Sequence, residues 1–159
     1  MHRLISVLLP DLRGFARFLT RDATAADDLV QDTVVRALAA KDQFEPNTNL
    51  KAWLFTIQRN AFYEQARRRR RETRVLSERL PDPESTAPDA ALRGEVSDLQ
   101  RMLFTLPPLL REALVLVGAQ ELSYEQAAVI CGVPVGTVKA RVSRARTQLA
   151  NILAHQNST

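Results

Sequence analysis

The sequence has few of the residues that build metal centres, disulfides and catalytic sites. Its 159 residues include one cysteine and two histidines, and a lone Cys131 excludes an internal disulfide. His2 and His155 lie near opposite ends of the sequence, and no Ser/His/Asp, Cys/His, paired-carboxylate or phosphate-loop pattern occurs. We therefore expect no metal, no cofactor and no enzyme activity. Cys131 falls on the apolar side of a predicted helix, which indicates a buried, inert thiol.

Long apolar runs and strand-like patterns are also missing. No run reaches the roughly 20 apolar residues that span a bilayer, and the N-terminus lacks the layout of a signal peptide. The sequence thus predicts a cytoplasmic protein without a membrane partner. Glycine is scarce, with 5 residues, and aromatic residues make up 6%. Leu, Ala, Val and Arg recur at helical spacing instead, which predicts an all-α fold.

The composition changes sharply over residues 80–91, where three prolines stand among acidic and small residues. Such a segment is typical of a linker. It predicts two small helical domains joined by a Pro-rich acidic linker, with a first domain at 1–76, the linker at 77–91 and a second domain at 92–159. Each domain is long enough for a compact helical bundle.

The second domain carries a helix-turn-helix pattern. Ser123 and Gln126 have capping-box spacing at the start of a short helix, and Gly132 followed by Pro134 ends it. In the helix that follows, an apolar stripe of Val138, Val142, Ala145, Leu149 and Ile152 lies opposite Gly136, Lys139, Ala140, Ser143, Arg144 and Thr147. A short helix, a glycine turn and a longer basic helix are typical of a unit that reads a DNA major groove. The alternative is a helical hairpin of an ordinary core with solvated arginines.

In the first domain, Pro10 interrupts the first helical stripe, so the helix either kinks there or a second helix starts at the proline. Thr24 and Asp27 predict the cap of the next helix. One face of that helix carries Asp28, Gln31, Asp32 and Arg36, which we call the acidic ridge. On a protein with a net charge of +4, an exposed acidic ridge is unexpected, although the spacing alone favours an ordinary solvated helix face.

A polar loop at 41–49 leads into a helix with an unusual surface. The helix has a buried stripe of Leu50, Trp53, Leu54, Ile57 and Ala61. Aromatic, amide and basic side chains are expected on its remaining surface: Phe55, Gln58, Arg59, Asn60, Phe62 and Tyr63. Five consecutive arginines follow at 67–71. Rings and amides beside a basic run suit single-stranded or distorted nucleic acid, in which bases stack and phosphates meet guanidinium groups. A solvated helix end is the alternative for the arginines.

Three segments resemble the extracytoplasmic function sigma factors of bacterial RNA polymerase, in the same order and with the linker in the same place. They are DATAADDLVQDTVVRAL, NLKAWLFTIQRNAFYEQARRRRRE and LPPLLREALVLVGAQELSYEQAAVICGVPVGTVKARVSRAR. Within that family, FEPNTNLKAWLFTI and REALVLVGAQELSYEQAA are most similar to the general stress response group of alphaproteobacteria. The resemblance implies a sigma factor that directs core RNA polymerase to stress-responsive promoters and is a monomer when free.

The resemblance also implies the site residues. Core polymerase would bind the acidic ridge, and the −10 element would be held by Phe44, Asn47, Asn49, Asn60, Tyr63, Arg67 and Arg68. The −35 element would be read by Thr137, Lys139, Ala140, Arg141, Ser143, Arg144 and Arg146. Ala140 replaces a serine common in the family and Asn47 a glycine common in the subgroup, so the promoter sequence is not implied. A small anti-sigma protein is the expected third partner.

Two other functions fit parts of the sequence. A DNA-binding repressor or activator that acts without core polymerase explains the helix-turn-helix, but it leaves the acidic ridge and the aromatic, amide-rich helix unexplained. A sigma-like decoy that sequesters an anti-sigma protein normally carries a receiver domain, which this sequence does not encode. A decoy would also be free to lose the basic residues at its DNA-contacting positions, and they are basic here.

Overall fold

The computed structural model describes residues 1–76 and 98–157, and over this part of the chain it is all-α, as predicted. The first three helices are α1 (His2–Thr20), α2 (Ala23–Ala39) and α3 (Leu50–Leu76), with a short 3-10 turn at Lys41–Gln43. After the predicted linker at 77–91, which lies outside the described residues, come α4 (Asp98–Thr105), α5 (Pro108–Leu114), α6 (Tyr124–Cys131) and α7 (Val135–Asn157). We call α1–α3 the first helical unit and α4–α7 the second.

The structure decides one open question in the first unit and corrects one prediction. Of the two alternatives at Pro10, a second helix is ruled out, because Pro10 lies within α1 on its exposed side; there, water can satisfy a carbonyl that a proline leaves without its N–H partner. Asp22, rather than Thr24, caps α2, because its side chain accepts a hydrogen bond of 3.1 Å from the Ala25 N–H. Asp22 is as good a cap as threonine, and it lets the helix begin earlier.

The two helical units share one apolar core. Phe15 of α1 and Phe55 of α3 stack with their ring centroids 4.8 Å apart. Leu116 and Ile130 of the second unit belong to the same buried cluster. The core therefore extends across both units, and each unit covers apolar surface that the other would expose to water.

The prediction that Phe55 and Gln58 lie on the surface of α3 is wrong, since both are fully buried. The Gln58 amide donates a hydrogen bond of 3.0 Å to the carbonyl of Leu12 in α1. The cause is tertiary: α3 packs against α1, α2 and α6 together. A helix covered from three sides buries more of its circumference than one amphipathic stripe suggests.

A π-helical turn at Val115–Ala119 follows α5 and carries the helix through Gly118. The turn brings the second unit close to the first. A Cβ placed on Gly14 of α1 would lie 3.4 Å from the Gln120 amide nitrogen. The ammonium of Lys51 in α3 donates a hydrogen bond of 2.8 Å to the Gln120 carbonyl. A π-turn is uncommon and often marks a functional contact; here it lies at the junction of the two units.

Candidate nucleic-acid and polymerase interfaces

The helix-turn-helix forms as predicted. The Ser123 hydroxyl accepts a 3.0 Å hydrogen bond from the Gln126 N–H, and the Gln126 side chain accepts one of 2.9 Å from the Ser123 N–H. Gly132 ends α6 in the left-handed region with φ of 68°, a conformation that costs glycine little. On α7, Val138, Val142 and Ala145 are buried. The predicted apolar stripe is confirmed at these three positions, so the opposite face of α7 points outward.

That outward face carries the predicted −35 residues. Lys139, Ser143, Arg144 and Arg146 are exposed, whereas Thr137, Ala140 and Arg141 are half-buried. A groove of about 700 Å³ separates the start of α7 from α5, and Gly136, Thr137, Ala140, Arg141 and Arg144 line its α7 side. The Lys139 ammonium lies 5.7 Å from the centroid of the Tyr124 ring. Six of the seven predicted residues thus carry a charge or a hydroxyl, and four of the seven are exposed.

The predicted −10 residues on α3 divide between two faces. Asn60, Arg67 and Arg68 are exposed, and Arg68 forms an ion pair of 2.7 Å with Glu64 one turn earlier. Tyr63 is half-buried, and the Arg59 guanidinium lies 4.5 Å from its ring centroid. Burial, followed by the charge of Glu112, raises the pKa of Tyr63. Tyr63 therefore points toward the second helical unit, away from the exposed asparagine and arginines.

The loop before α3 is held by local contacts. Phe44 is half-buried, with its ring centroid 5.2 Å from that of Trp53. Asn49 caps α3, because its side-chain oxygen accepts a 3.0 Å hydrogen bond from the Ala52 N–H. The Thr48 hydroxyl donates a hydrogen bond of 2.7 Å to the Glu45 carbonyl. Asn47 is exposed at the tip, so Asn47 presents its amide outward while Asn49 uses its oxygen within the helix.

The acidic ridge is less uniform than predicted. Asp28 and Gln31 are exposed, but Asp32 and Arg36 are half-buried and tied to α3. Arg36 bonds Asp32 at 3.1 Å and Glu64 at 2.9 Å, and the Gln65 amide donates a hydrogen bond of 3.1 Å to Asp32. The hydrogen bond from Arg36, with that from Arg68, lowers the pKa of Glu64. The ridge therefore has two outward-facing side chains and two that join α2 to α3.

Comparison with known proteins gives the family. A sigma-70 region 2 model matches residues 4–72, and a sigma-70 region 4 model matches residues 97–149. The ECF RNA polymerase sigma factor EcfG of Rhodopseudomonas palustris is 47% identical over 149 residues, which are 94% of this chain and 82% of that protein. The chain belongs to the extracytoplasmic function sigma factors of bacterial RNA polymerase.

Two solved structures carry the same fold. The sigma factor RpoE of Bartonella quintana, in complex with the anti-sigma factor NepR, is 44% identical with a TM-score of 0.81 and a coverage of 96% of each chain. CnrH, in complex with the cytosolic domain of CnrY, is 29% identical with a TM-score of 0.73, over 97% of this chain and 87% of the other. The similarity to EcfG and RpoE joins this sigma factor to the alphaproteobacterial general stress response group.

A buried ion pair between the two units of this sigma factor has no sequence signal. Arg59 of α3 donates a 2.9 Å hydrogen bond to Glu112 of α5, and their side chains are only 15% and 3% exposed. The Cys131 thiol donates to the same carboxylate oxygen at 3.1 Å. Burial lowers the pKa of Arg59, but the adjacent Glu112 outweighs it, so the pKa is raised. Burial also raises the pKa of Cys131, to about 12, which agrees with the predicted inert thiol.

Other kinds of site find no support in the described part of this sigma factor. Over residues 1–76 and 98–157, no group of three His, Cys, Asp or Glu side chains is placed to hold a metal ion. None of the helices that the structure describes is long and apolar enough to cross a membrane. Sigma factors are transcription initiation factors.

Proposed function

We propose that this sigma factor acts as a dissociable subunit that binds core RNA polymerase and promoter DNA and has no catalytic activity of its own. One observation supports this most: a single chain carries two separate basic surfaces, one on the outward face of α7 and one on α3. Two such surfaces suit one protein that contacts two promoter elements. The active site for RNA synthesis would then belong entirely to core polymerase.

We infer that α7 reads the −35 element from the major groove. Lys139, Ser143 and Arg144 would reach base edges, with Thr137 and Ala140 alongside, and Arg141 and Arg146 would contact phosphates. An exposed arginine on a recognition helix suits a bidentate contact to guanine. The methyl group of Ala140 suits an apolar contact, for example with a thymine methyl group. Alanine in place of the serine common in the family would therefore shift the preferred base at this position.

We infer that the loop and the exposed face of α3 capture the melted −10 element. Phe44, Asn47, Asn49 and Asn60 would surround an extruded base, with Tyr63, Arg67 and Arg68 along the strand. Extruding a base costs a few kcal/mol, and a loop already ordered by the contact between the Phe44 and Trp53 rings and by the Asn49 cap loses little further entropy on binding. Because the side-chain oxygen of Asn49 already accepts a hydrogen bond from the Ala52 N–H, Asn49 would contribute by holding the loop in place.

We infer that Asp28 and Gln31 make the direct contact of the acidic ridge with core polymerase. Asp32 and Arg36 would position them, since both are bonded to neighbouring side chains of α2 and α3. A charge reversal at Asp28 places a like charge against a basic partner and should weaken core binding by about 2 kcal/mol, or roughly thirtyfold. Titration of core polymerase with labelled Asp28→Arg measures this effect.

The matched variant is Asp32→Arg. It removes the partner of Arg36 and Gln65, so it should lower the free energy of unfolding as well as core binding. Asp28→Arg should leave stability within about 0.5 kcal/mol, as at most exposed positions. Undiminished core binding by Asp28→Arg would show that the acidic ridge does not contact core polymerase.

We also propose a small anti-sigma protein as the partner that keeps this sigma factor from core polymerase, with the free chain a cytoplasmic monomer. The support comes from relatives, since RpoE was solved with NepR and CnrH with the cytosolic domain of CnrY. The exposed side chains of the acidic ridge and both basic surfaces are available for such a competition. Co-purification with core polymerase and with the anti-sigma protein should be mutually exclusive.

Transcription in vitro tests the main proposal. Purified chain and core polymerase are incubated with a supercoiled promoter library, and the 5′ ends of the transcripts are sequenced. We expect starts that require the chain and share two upstream elements. Promoter-duplex binding without core polymerase, together with no new starts, would instead indicate a repressor or activator that acts alone.

A further inference from the structure

Part of the α3 surface is covered by the chain itself. The side chains at Arg59, Tyr63, Ala66 and Arg70 follow one another at helical spacing on the side of α3 next to α5; the first three are half-buried, and Arg70 is exposed. The last three of them line a cavity of about 220 Å³ together with Arg111 and Glu112. Asn60 and Arg67, one residue further around the helix, are exposed. The second helical unit thus covers one of the two faces of α3.

The Arg59–Glu112 pair is the polar contact at the centre of this covered face. Glu112 lies within the second unit and receives hydrogen bonds from Arg59 and Cys131 on the same oxygen. Its other oxygen is buried without a hydrogen-bond partner among the described residues. If Arg59 leaves, the buried carboxylate retains only the weak thiol donor. A buried charge that loses its partner strongly favours an arrangement in which water reaches it.

We propose that Arg59 and Glu112 form an intramolecular latch, which holds the second helical unit over Tyr63 until the chain opens. In the closed form the Arg59 guanidinium is shared between Glu112 and the Tyr63 ring. Once the units separate, the same guanidinium and ring face solvent together, and such a pair suits the phosphate and base of a single strand. Glu112 thus occupies, within the chain, a place that a DNA phosphate would take.

The effect of the latch on promoter binding rests on the proposed function, but the latch itself is a property of the free chain. It predicts that the closed and open forms are in equilibrium and that the pair sets their ratio. Lys51 with the Gln120 carbonyl, and Phe18 with Phe104 at a centroid distance of 5.4 Å, add further contacts between the units. Loss of the latch should therefore open a fraction of the molecules without unfolding either unit.

The single cysteine reports opening without any label. Cys131 is 7% exposed in the closed form, on a helix, α6, that packs against α3. The test measures the rate at which Ellman's reagent modifies Cys131 in the full chain. We expect Arg59→Met to react at least ten times faster than the natural sequence, and Arg59→Lys to fall between them. Arg68→Met is the matched control, because it breaks an exposed arginine–glutamate pair on the same helix within one unit.

The sign of the change separates opening from simple electrostatics. Burial raises the pKa of Cys131, and the positive charge of Arg59 partly opposes that rise. Removal of this charge without opening would therefore leave less thiolate and slow the reaction. Unchanged or slower modification of Arg59→Met would overturn the latch. A faster reaction should be accompanied by a larger radius of gyration in small-angle scattering at constant helical content.

Glu112→Gln supplies a second variant, with scattering as its readout because the change is adjacent to the thiol. Loss of helical content in both variants would overturn the proposal, since the pair would then hold the fold instead of the closed arrangement. If Cys131 reacts faster in Arg59→Met but neither that variant nor the natural sequence starts transcription, the latch stands and the proposed function falls.

Discussion

The candidate DNA surfaces on α7 and α3 have similar chemistry and different availability. Both combine arginines with side chains that can bond bases. On α7 the apolar stripe faces its own unit; among the described residues, the basic face borders the groove beside α5, and Lys139, Arg144 and Arg146 are exposed. On α3, packing against α1, α2 and α6 leaves Asn60 and the arginine run outside but turns Tyr63 inward.

The difference shows that the residues of a DNA-binding surface can be recognised in the sequence, whereas their exposure to solvent cannot. A recognition helix at the edge of a bundle can be read residue by residue, because one face packs and the other remains open. A helix at the centre of two packed units has no single open face. For this sigma factor, the packing of the two units leaves the proposed −35 surface on α7 exposed and the proposed −10 surface on α3 partly covered.

The largest effect is expected from breaking the core beneath the α3 surface. Phe15 is fully buried and stacks on Phe55, so Phe15→Ala should lower the free energy of unfolding by about 3 to 5 kcal/mol. Urea denaturation followed by circular dichroism measures it. The control is Phe44→Ala, whose half-buried ring contacts Trp53 in the loop and should cost about 1 kcal/mol. Equal losses would contradict the deep burial of Phe15.

The next effect tests the open surface of α7. Arg144→Ala should weaken promoter binding by about 1 to 3 kcal/mol, concentrated on one or two positions of the −35 element. Competition binding with single-base variants of the promoter, using the assembled holoenzyme, measures the loss. Arg146→Ala should weaken all sequences alike and lower the salt dependence. A uniform loss for Arg144→Ala would make it a phosphate contact and leave specificity to Lys139 and Ser143.

A smaller effect tests the exposed face of α3. Asn60→Ala, alone or with a change at Phe44 or Asn47, should slow open-complex formation on duplex DNA about tenfold, or about 1.4 kcal/mol. A template already melted at the −10 element should recover most of the rate, because base extrusion is then no longer required. Stopped-flow fluorescence on the two templates gives both rates. The same defect on both would assign the loop to the fold alone.

The smallest effect separates two asparagines of one loop. Asn49→Ala removes the α3 cap and should lower the free energy of unfolding by about 1 kcal/mol. Asn47→Ala, at an exposed position, should change stability by less than about 0.5 kcal/mol while it alters preference within the −10 element. Thermal denaturation and transcription from −10 variants distinguish them. A base-specific defect at Asn49 with no loss of stability would reverse the two assignments.

The sequence by itself determined the all-α fold and the helix-turn-helix. The capping box of Ser123 and Gln126 and the end of α6 at Gly132 are local: each depends on residues within a few positions of one another, and hydrogen bonds at that range form wherever the chain runs. The stripe of Val138, Val142 and Ala145 is also local, since helical periodicity alone puts these side chains on one face.

Only the tertiary structure decided which side chains of α3 reach solvent. Asp32 and Arg36 belong to a network with Glu64 and Gln65 of another helix, and neither residue shows this in its own spacing. Arg59 and Glu112 are 53 positions apart, and their pairing depends on how two helical units meet over a common core. Periodicity reports one buried face per helix, whereas burial from several sides is set by the neighbours that the fold brings together.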